Sequence, residues 1–364
     1  MADIALAASP IATPLAAWLA SGEIQPETTV YRGVITPLGL DARPAETEAL
    51  VFGAAVHDLG WVRRVKVRGE DRFRWLSGMV TNTVNDLVGN AGAWNLVLNA
   101  QGRIQGDLTV WRRGEKLELE IAVDQLDRLL RHFEHFIIMD DVELVTREGE
   151  TALGVTGPKA GEVLARLGLP VLAEPMTHAK AEWNGLSTRI RRSYGAVGEH
   201  YELWTSVATV SKLWKCLITG GAVPVGAGAV EAFRVAEGSP AYGIDMMERD
   251  LPQETSQMRA LHFHKGCYLG QEIVERIRSR GNVHRHLRGL ELDGALPAAG
   301  TELKLDGAVV GNVTSAAELP LSAGTRRFAL GMVRGEAEVK NLAMNYGAGD
   351  AAGRAKLLGG PPTF

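Results

Sequence analysis

Lys265-Gly266-Cys267-Tyr268-Leu269-Gly270-Gln271-Glu272 holds one of the two cysteines of the chain, flanked by glycines, with a lysine close before it and an amphipathic run, Gln271 to Ile277, close after. A thiol becomes a nucleophile or a metal ligand only as thiolate. A neighbouring lysine and the start of a helix both favour that form. Gly266 and Gly270 allow a ligand or another backbone to approach closely. The competing reading is a small apolar filler that happens to contain sulfur. The segment by itself leaves both readings open. Cys216 sits beside the apolar stripe of an amphipathic helix, and there the filler reading holds.

At 364 residues the chain exceeds one ordinary core, so two or three domains are expected. Its formal net charge of -4 argues against a general polyanion-binding surface. Two cysteines without a Cys-x-x-Cys pair make no disulfide framework, which fits a reducing compartment. The first residues carry an aspartate in place of a basic n-region, so no signal peptide is expected. No uncharged apolar run reaches the roughly 18–20 residues that span a bilayer. These features predict a cytoplasmic protein with no membrane segment.

Along the chain, residues 1–45 read as an N-terminal lead-in with a short helix near Ala16 and Trp18. Residues 46–148 read as a first α/β unit. It has a helix over 45–56, a strand over 64–68, a helix over 70–76, a hairpin of 94–98 and 104–111 about the turn 99–102, and a helix over 124–138. Residues 149–283 read as a second α/β unit, with strands at 152–157 and 187–192 and helices at 158–167, 206–218 and 229–235. Past Val283 short strands alternate with glycine turns, as in a small β-barrel, over 284–345. Residues 346–364 read as a tail.

Other motifs carry less. His262 with His264, and His284 with His286, alternate; on strands each pair would face one way, but the spacing matches no familiar zinc pattern. The basic run from Arg276 to Arg288 is either a solvated face or a patch for an anion such as a polyglutamate tail or an acidic partner. It lacks the interleaved aromatics of a nucleic-acid surface. Gly226-Ala227-Gly228 lacks the third glycine of a dinucleotide loop.

The octapeptide at Lys265 resembles the K-G-C-[FY]-x-G-Q-E signature of the YgfZ-type folate-binding proteins, relatives of the glycine-cleavage aminomethyltransferase. Further segments resemble the family in order: Asp71 to Asn82, Arg234 to Met246, Leu251 to Glu254, Gly311 to Ser315 and Ala329 to Arg334, over about residues 50–335. The resemblance implies an α+β, three-domain, ring-like aminomethyltransferase-like fold: two α/β units and a C-terminal β-barrel around a channel for tetrahydrofolate. By matching position it implies a pterin-contacting role for Glu202 and a folate-site role for Arg234. Tyr242 and Lys265, inside the matched segments, join them as cofactor-binding candidates. The aminomethyltransferases carry two adjacent aspartates in the first hairpin. Here the stretch is Gly102-Arg103-Ile104-Gln105-Gly106-Asp107, so only Asp107 remains.

The expectation that follows is a tetrahydrofolate-binding factor that supports assembly or repair of iron–sulfur proteins. Cys267 and Asp107 are its candidate catalytic residues, and Cys267 is a redox thiol or transient metal ligand. A cluster normally takes four protein ligands, so one thiol implies a cluster shared with an assembly or client protein or a second copy, or completed by glutathione or histidine. The alternatives are a folate-dependent one-carbon transferase and a non-catalytic docking scaffold.

Overall fold

The computed structural model describes residues 9–22, 25–183, 185–281 and 283–364. Residues 1–8, the stretch read against a leader, lie outside them. The chain opens with β1 (Ile11–Ala12), α1 (Pro14–Ala20), β2 (Thr28–Tyr31) and β3 (Val34–Pro37). Helix α1 starts where it does because the Thr13 hydroxyl accepts from the Ala16 amide at 3.0 Å and Pro14 opens the first turn. Then come α2 (Arg43–Phe52) and β4 (Ala55–Asp58). The helix expected over 45–56 therefore stops at Phe52. Its last residues, Ala55 and Val56, are strand.

The next elements are β5 (Val62–Arg68), α3 (Arg72–Met79), β6 (Gly92–Leu98), β7 (Ile104–Arg113), β8 (Lys116–Ala122), α4 (Val123–His135) and β9 (Glu143–Thr146). After them come β10 (Glu150–Gly157), α5 (Ala160–Arg166), β11 (Thr177–Trp183), β12 (Leu186–Ser193), β13 (Glu199–Ser206), α6 (Val210–Thr219), β14 (Val223–Pro224), α7 (Ala227–Glu237) and α8 (Gln271–Arg280). The chain finishes with β15 (Arg285–Gly294), β16 (Glu302–Leu305), β17 (Ala308–Leu321), β18 (Gly324–Arg334), α9 (Gly335–Lys340), β19 (Met344–Tyr346) and β20 (Gly353–Leu357).

Among the described residues these strands form two larger sheets, in the orders β6-β7-β8-β5-β9 and β11-β12-β13-β10-β4-β14, a small sheet β1-β3-β2, and a closed barrel β15-β18-β17-β16-β19-β20. This is the expected α+β architecture with a C-terminal barrel. In the first sheet Leu117, Leu119 and Ile121 of β8 point one way, into a core with Trp75, Leu129 and Phe133 of the covering helices. Arg64 of β5 and Glu118 and Glu120 of β8 belong to the opposite face, which lies against the second sheet.

The fold joins what a boundary at residue 46 divides. Strand β4 pairs with β10 (Val56↔Val155) and with β14, so it belongs to the second sheet. Leu15 of α1 is buried in the core of that sheet, with Val155 and Leu213. The reason is apolar pattern: Ala54, Ala55 and Val56 bury on both sides, and only a central strand position offers that.

The tail at 346–364 is corrected too. β20 closes the barrel on β15 (Leu290↔Leu357). Beyond it, the Phe364 ring lies 5.8 Å from that of Phe328, and Arg326 donates to the Thr363 carbonyl at 2.6 Å. Deleting residues 359–364 is expected to cost about 1–2 kcal/mol, the worth of a largely buried aromatic, read as a lowered urea midpoint with an unchanged slope.

Candidate functional site

Where the two larger sheets meet the N-terminal hairpin, side chains from β2, β6, β7, β8, β12, β13 and α7 enclose a cavity of ≈ 280 Å³. Three of the sequence candidates, Asp107, Glu202 and Arg234, line it. Tyr242, Lys265 and Cys267 do not line it.

Strand β13 carries Glu202 into the cavity wall. One of its carboxylate oxygens accepts from the Ser193 hydroxyl, and the other accepts from the Trp204 indole at 3.3 Å. Burial, and then the neighbouring Glu120, push its pKa up to about 8. At neutral pH these surroundings favour the carboxylic acid form of Glu202. Glu120 accepts from Arg191 and, at 2.5 Å, from the Trp111 indole.

Asp107 is held at both oxygens. The Trp94 indole donates to one at 2.9 Å and the Gln125 amide to the other at 3.0 Å. The neighbouring Gly106 points to the other face of β7. A Cβ there would lie 2.8 Å from Gln125 Oε1 and 2.9 Å from Leu129 Cδ2. This backbone has no room for a second aspartate side chain without moving α4.

Arg234 faces the cavity with its charge already met. It forms a fork with Glu231, through Nε at 2.9 Å and through Nη2, and Nη1 donates to Asp245 at 2.6 Å and to the Ser239 carbonyl at 2.7 Å. Tyr31 donates to Glu231 at 3.2 Å, which ties the N-terminal hairpin to the same group. Among the described residues, the cavity cation without an ion pair is Arg259, which no sequence motif marks. Its guanidinium lies between Trp94 and Tyr194, 4.8 and 3.8 Å from the ring centroids, and makes no ion pair among the described residues. Its Nε donates to Gln257 at 3.0 Å. Trp61, edge-on to Tyr31 at 5.7 Å, adds a further aromatic wall.

The octapeptide is largely a structural clasp. Lys265 donates to the carbonyls of Ser77, Val80 and Asn82 at 2.8, 2.7 and 2.6 Å. Burial pushes its pKa down to about 7. Gly270 has φ +80 and stands against the hairpin turn of the first sheet, where a Cβ would come within 2.6 Å of the Asn99 carbonyl oxygen. That close approach explains the glycine. Cys267 is left exposed on the loop before α8. Tyr242 is buried behind the cavity, accepting from Arg128 at 2.6 Å.

His262 and His264 are not on a strand as the alternation suggested; they sit in the turn before α8, rings 6.3 Å apart. In the basic run, Arg285 pairs with Asp250 and Glu254, and His286 and Arg288 pair with Glu338. The Arg285 pairs tie the barrel to the segment before α8, and the Glu338 pairs tie β15 to α9, so that half of the run is not an open anion patch.

The family profile described as the GCVT N-terminal domain matches residues 36–265. The chain belongs to this family. An aminomethyltransferase of Rubrobacter xylanophilus is 30% identical over 301 residues, which is 80% of this chain and 79% of that one. A chloroplast protein of Arabidopsis thaliana named as a transferase is 26% identical over 277 residues; the match takes 74% of this chain and 63% of that relative, somewhat less than two thirds of its length. Among solved structures, the glycine cleavage system aminomethyltransferase T from Bartonella henselae superposes with a TM-score of 0.84 at 19% identity, covering 96% of each chain. That likeness establishes the aminomethyltransferase-like fold.

Proposed function

We propose that the cavity binds a reduced folate, tetrahydrofolate, through its pterin ring. The observation that carries this reading is Glu202: a carboxyl group set in a wall of aromatic side chains and held there by Ser193 and Trp204. A flat heterocycle with an amidine-like edge presents two N–H donors to such a carboxylate, the bidentate geometry that carboxylates favour. Trp61, Trp94 and Tyr194 make the wall around it aromatic, and Arg259, held between Trp94 and Tyr194, is placed to meet the carboxylates of the tail.

Within this reading the finer role is support of iron–sulfur proteins, with the exposed Cys267 as the reactive thiol. A cluster does not fit as a resident group. No set of three or more metal-binding side chains occurs among the described residues, and Cys267 offers one ligand of the usual four. Cys267 would act on a cluster only as cargo shared with an assembly or client protein. One-carbon transfer to or from an amine is the second reading, favoured by Asp107 being fixed on the cavity wall at both oxygens.

One experiment separates these readings. Wild-type protein, Cys267→Ala and Asp107→Asn are each titrated with tetrahydrofolate and used to complement a deletion strain scored on iron–sulfur enzyme activities. The expected result is tetrahydrofolate binding by all three proteins, with complementation lost only for Cys267→Ala. Loss with Asp107→Asn instead, together with methylenetetrahydrofolate formed from an aminomethyl donor, whose carbon is already at the oxidation level of formaldehyde and which releases ammonia, selects the transferase. No binding by the wild type removes the folate reading.

A further inference from the structure

A second pair of cavities, ≈ 430 and ≈ 300 Å³, opens at the other end of the junction between the two larger sheets. They share Arg113, Glu118 and Arg147 and have no lining residue in common with the Glu202 cavity. Nine arginines and lysines line the pair, against three glutamates. In a chain of formal charge -4 this is a marked local excess. All three glutamates are already paired: Glu118 with Arg64 and Arg191, Glu150 with Arg64 and Arg147, and Glu115 with Arg72 and Arg112. Lys66, Arg113, Lys116 and Arg189 make no ion pair among the described residues. The Arg189 Nε is a buried donor with no hydrogen-bond partner. A buried charged donor left so is unfavourable, and an anion in the cavity would meet it.

We propose that these joined basic cavities bind a small polyanion, one carrying at least two phosphoryl or carboxylate groups. Their volumes are those of small-molecule sites, not of a flat docking patch. The guanidinium forks of Arg113 and Arg189 suit bidentate oxyanions. Nucleic acid is disfavoured because Trp204, the aromatic in the walls, is covered by Arg64 and Arg191, with nothing left for base stacking. Like-charge crowding agrees: Arg147 first, then burial and Arg68, hold the Lys66 ammonium below its usual range. An anion would relieve that repulsion.

The test is calorimetric titration of the full chain with sodium tripolyphosphate and, separately, citrate. The expected result is one-site binding of at least one probe, weakened by added salt. Lys66→Ala/Arg189→Ala should lower the affinity at least about tenfold. The exposed Lys116→Glu should do so with no change in melting temperature, which guards against a folding artefact in the double variant. The tighter probe tells phosphoryl from carboxylate recognition. Binding of neither probe, or binding unchanged in both variants, overturns the proposal.

Discussion

Arg191→Ala is expected to lower stability by about 3–5 kcal/mol, the cost of removing one partner from a buried ion network. Arg191 is fully buried between the two larger sheets. Its guanidinium bonds Glu120 and, at 2.6 Å, Glu118, and lies 4.9 Å from the Trp111 ring and 5.8 Å from the Trp204 ring. Arg64 reaches the same Glu118 oxygen at 2.5 Å and stacks 5.1 Å over Trp204. Without Arg191, Glu120 stays buried with its charge unmet and the two indoles face a void. Lysine restores one charge but neither the fork nor the stack, so Arg191→Lys should fall between wild type and alanine. Urea unfolding followed by tryptophan fluorescence reads both. A loss under 1 kcal/mol for alanine would mean that the sheets hold together by apolar contact alone. Burial pushes Glu118 up, but Arg64 and Arg191 outweigh it and hold it at about 2. Its contribution to stability is thus present above the ordinary carboxylate value and lost as pH falls toward 2.

Tetrahydrofolate affinity is expected to rise with pH, about tenfold per unit between pH 6 and 8, and then to level off. The sign follows from Glu202. Its pKa is raised to about 8 from 4.5, so the folded protein favours the acid form. For stability, that contribution is full below the unfolded value and disappears as pH rises through 8. For a ligand that needs the carboxylate the direction reverses: below pH 8 binding must first expel a proton. Titrations in two buffers of different ionisation enthalpy should show close to one proton released at pH 6 and little at pH 9. Glu202→Gln should bind roughly a hundredfold more weakly at pH 8, through the loss of charge-assisted hydrogen bonds, with a flat pH profile. A flat profile for the wild type would place the pterin elsewhere.

Much of the frame was legible because its residues obey one period at a time. The hairpin of β6 and β7, the stripe of α4 and the glycine-punctuated barrel all announce themselves locally. Strand β8 is equally legible: Leu117, Leu119 and Ile121 alternate with Glu118 and Glu120, the second of which is the acid beside Glu202. Strands β11 and β13 are masked by their polar residues, and β13 also by Gly195 and Gly198 just before it, which read as a turn. Arg259 could not have been read at all. Its role depends on Trp94 and Tyr194, brought to either side of it by tertiary packing. Cys267 stood out for its neighbours, yet Lys265 and Gly270 serve the clasp, a role that only the contacts reveal.

The place of β4 sets an order of events during synthesis. Val56 must wait for Val155 on one side and Pro224 on the other before its edges are paired. At about 5–20 residues per second the nascent chain carries these unpaired edges for roughly 10–30 s. During that interval the apolar residues around β4 and α1 are open to a chaperone or to a neighbouring nascent chain. Ribosome-bound fragments ending near residue 148 should remain protease-sensitive in their first sixty or so residues, even after the β6–β7 hairpin has formed.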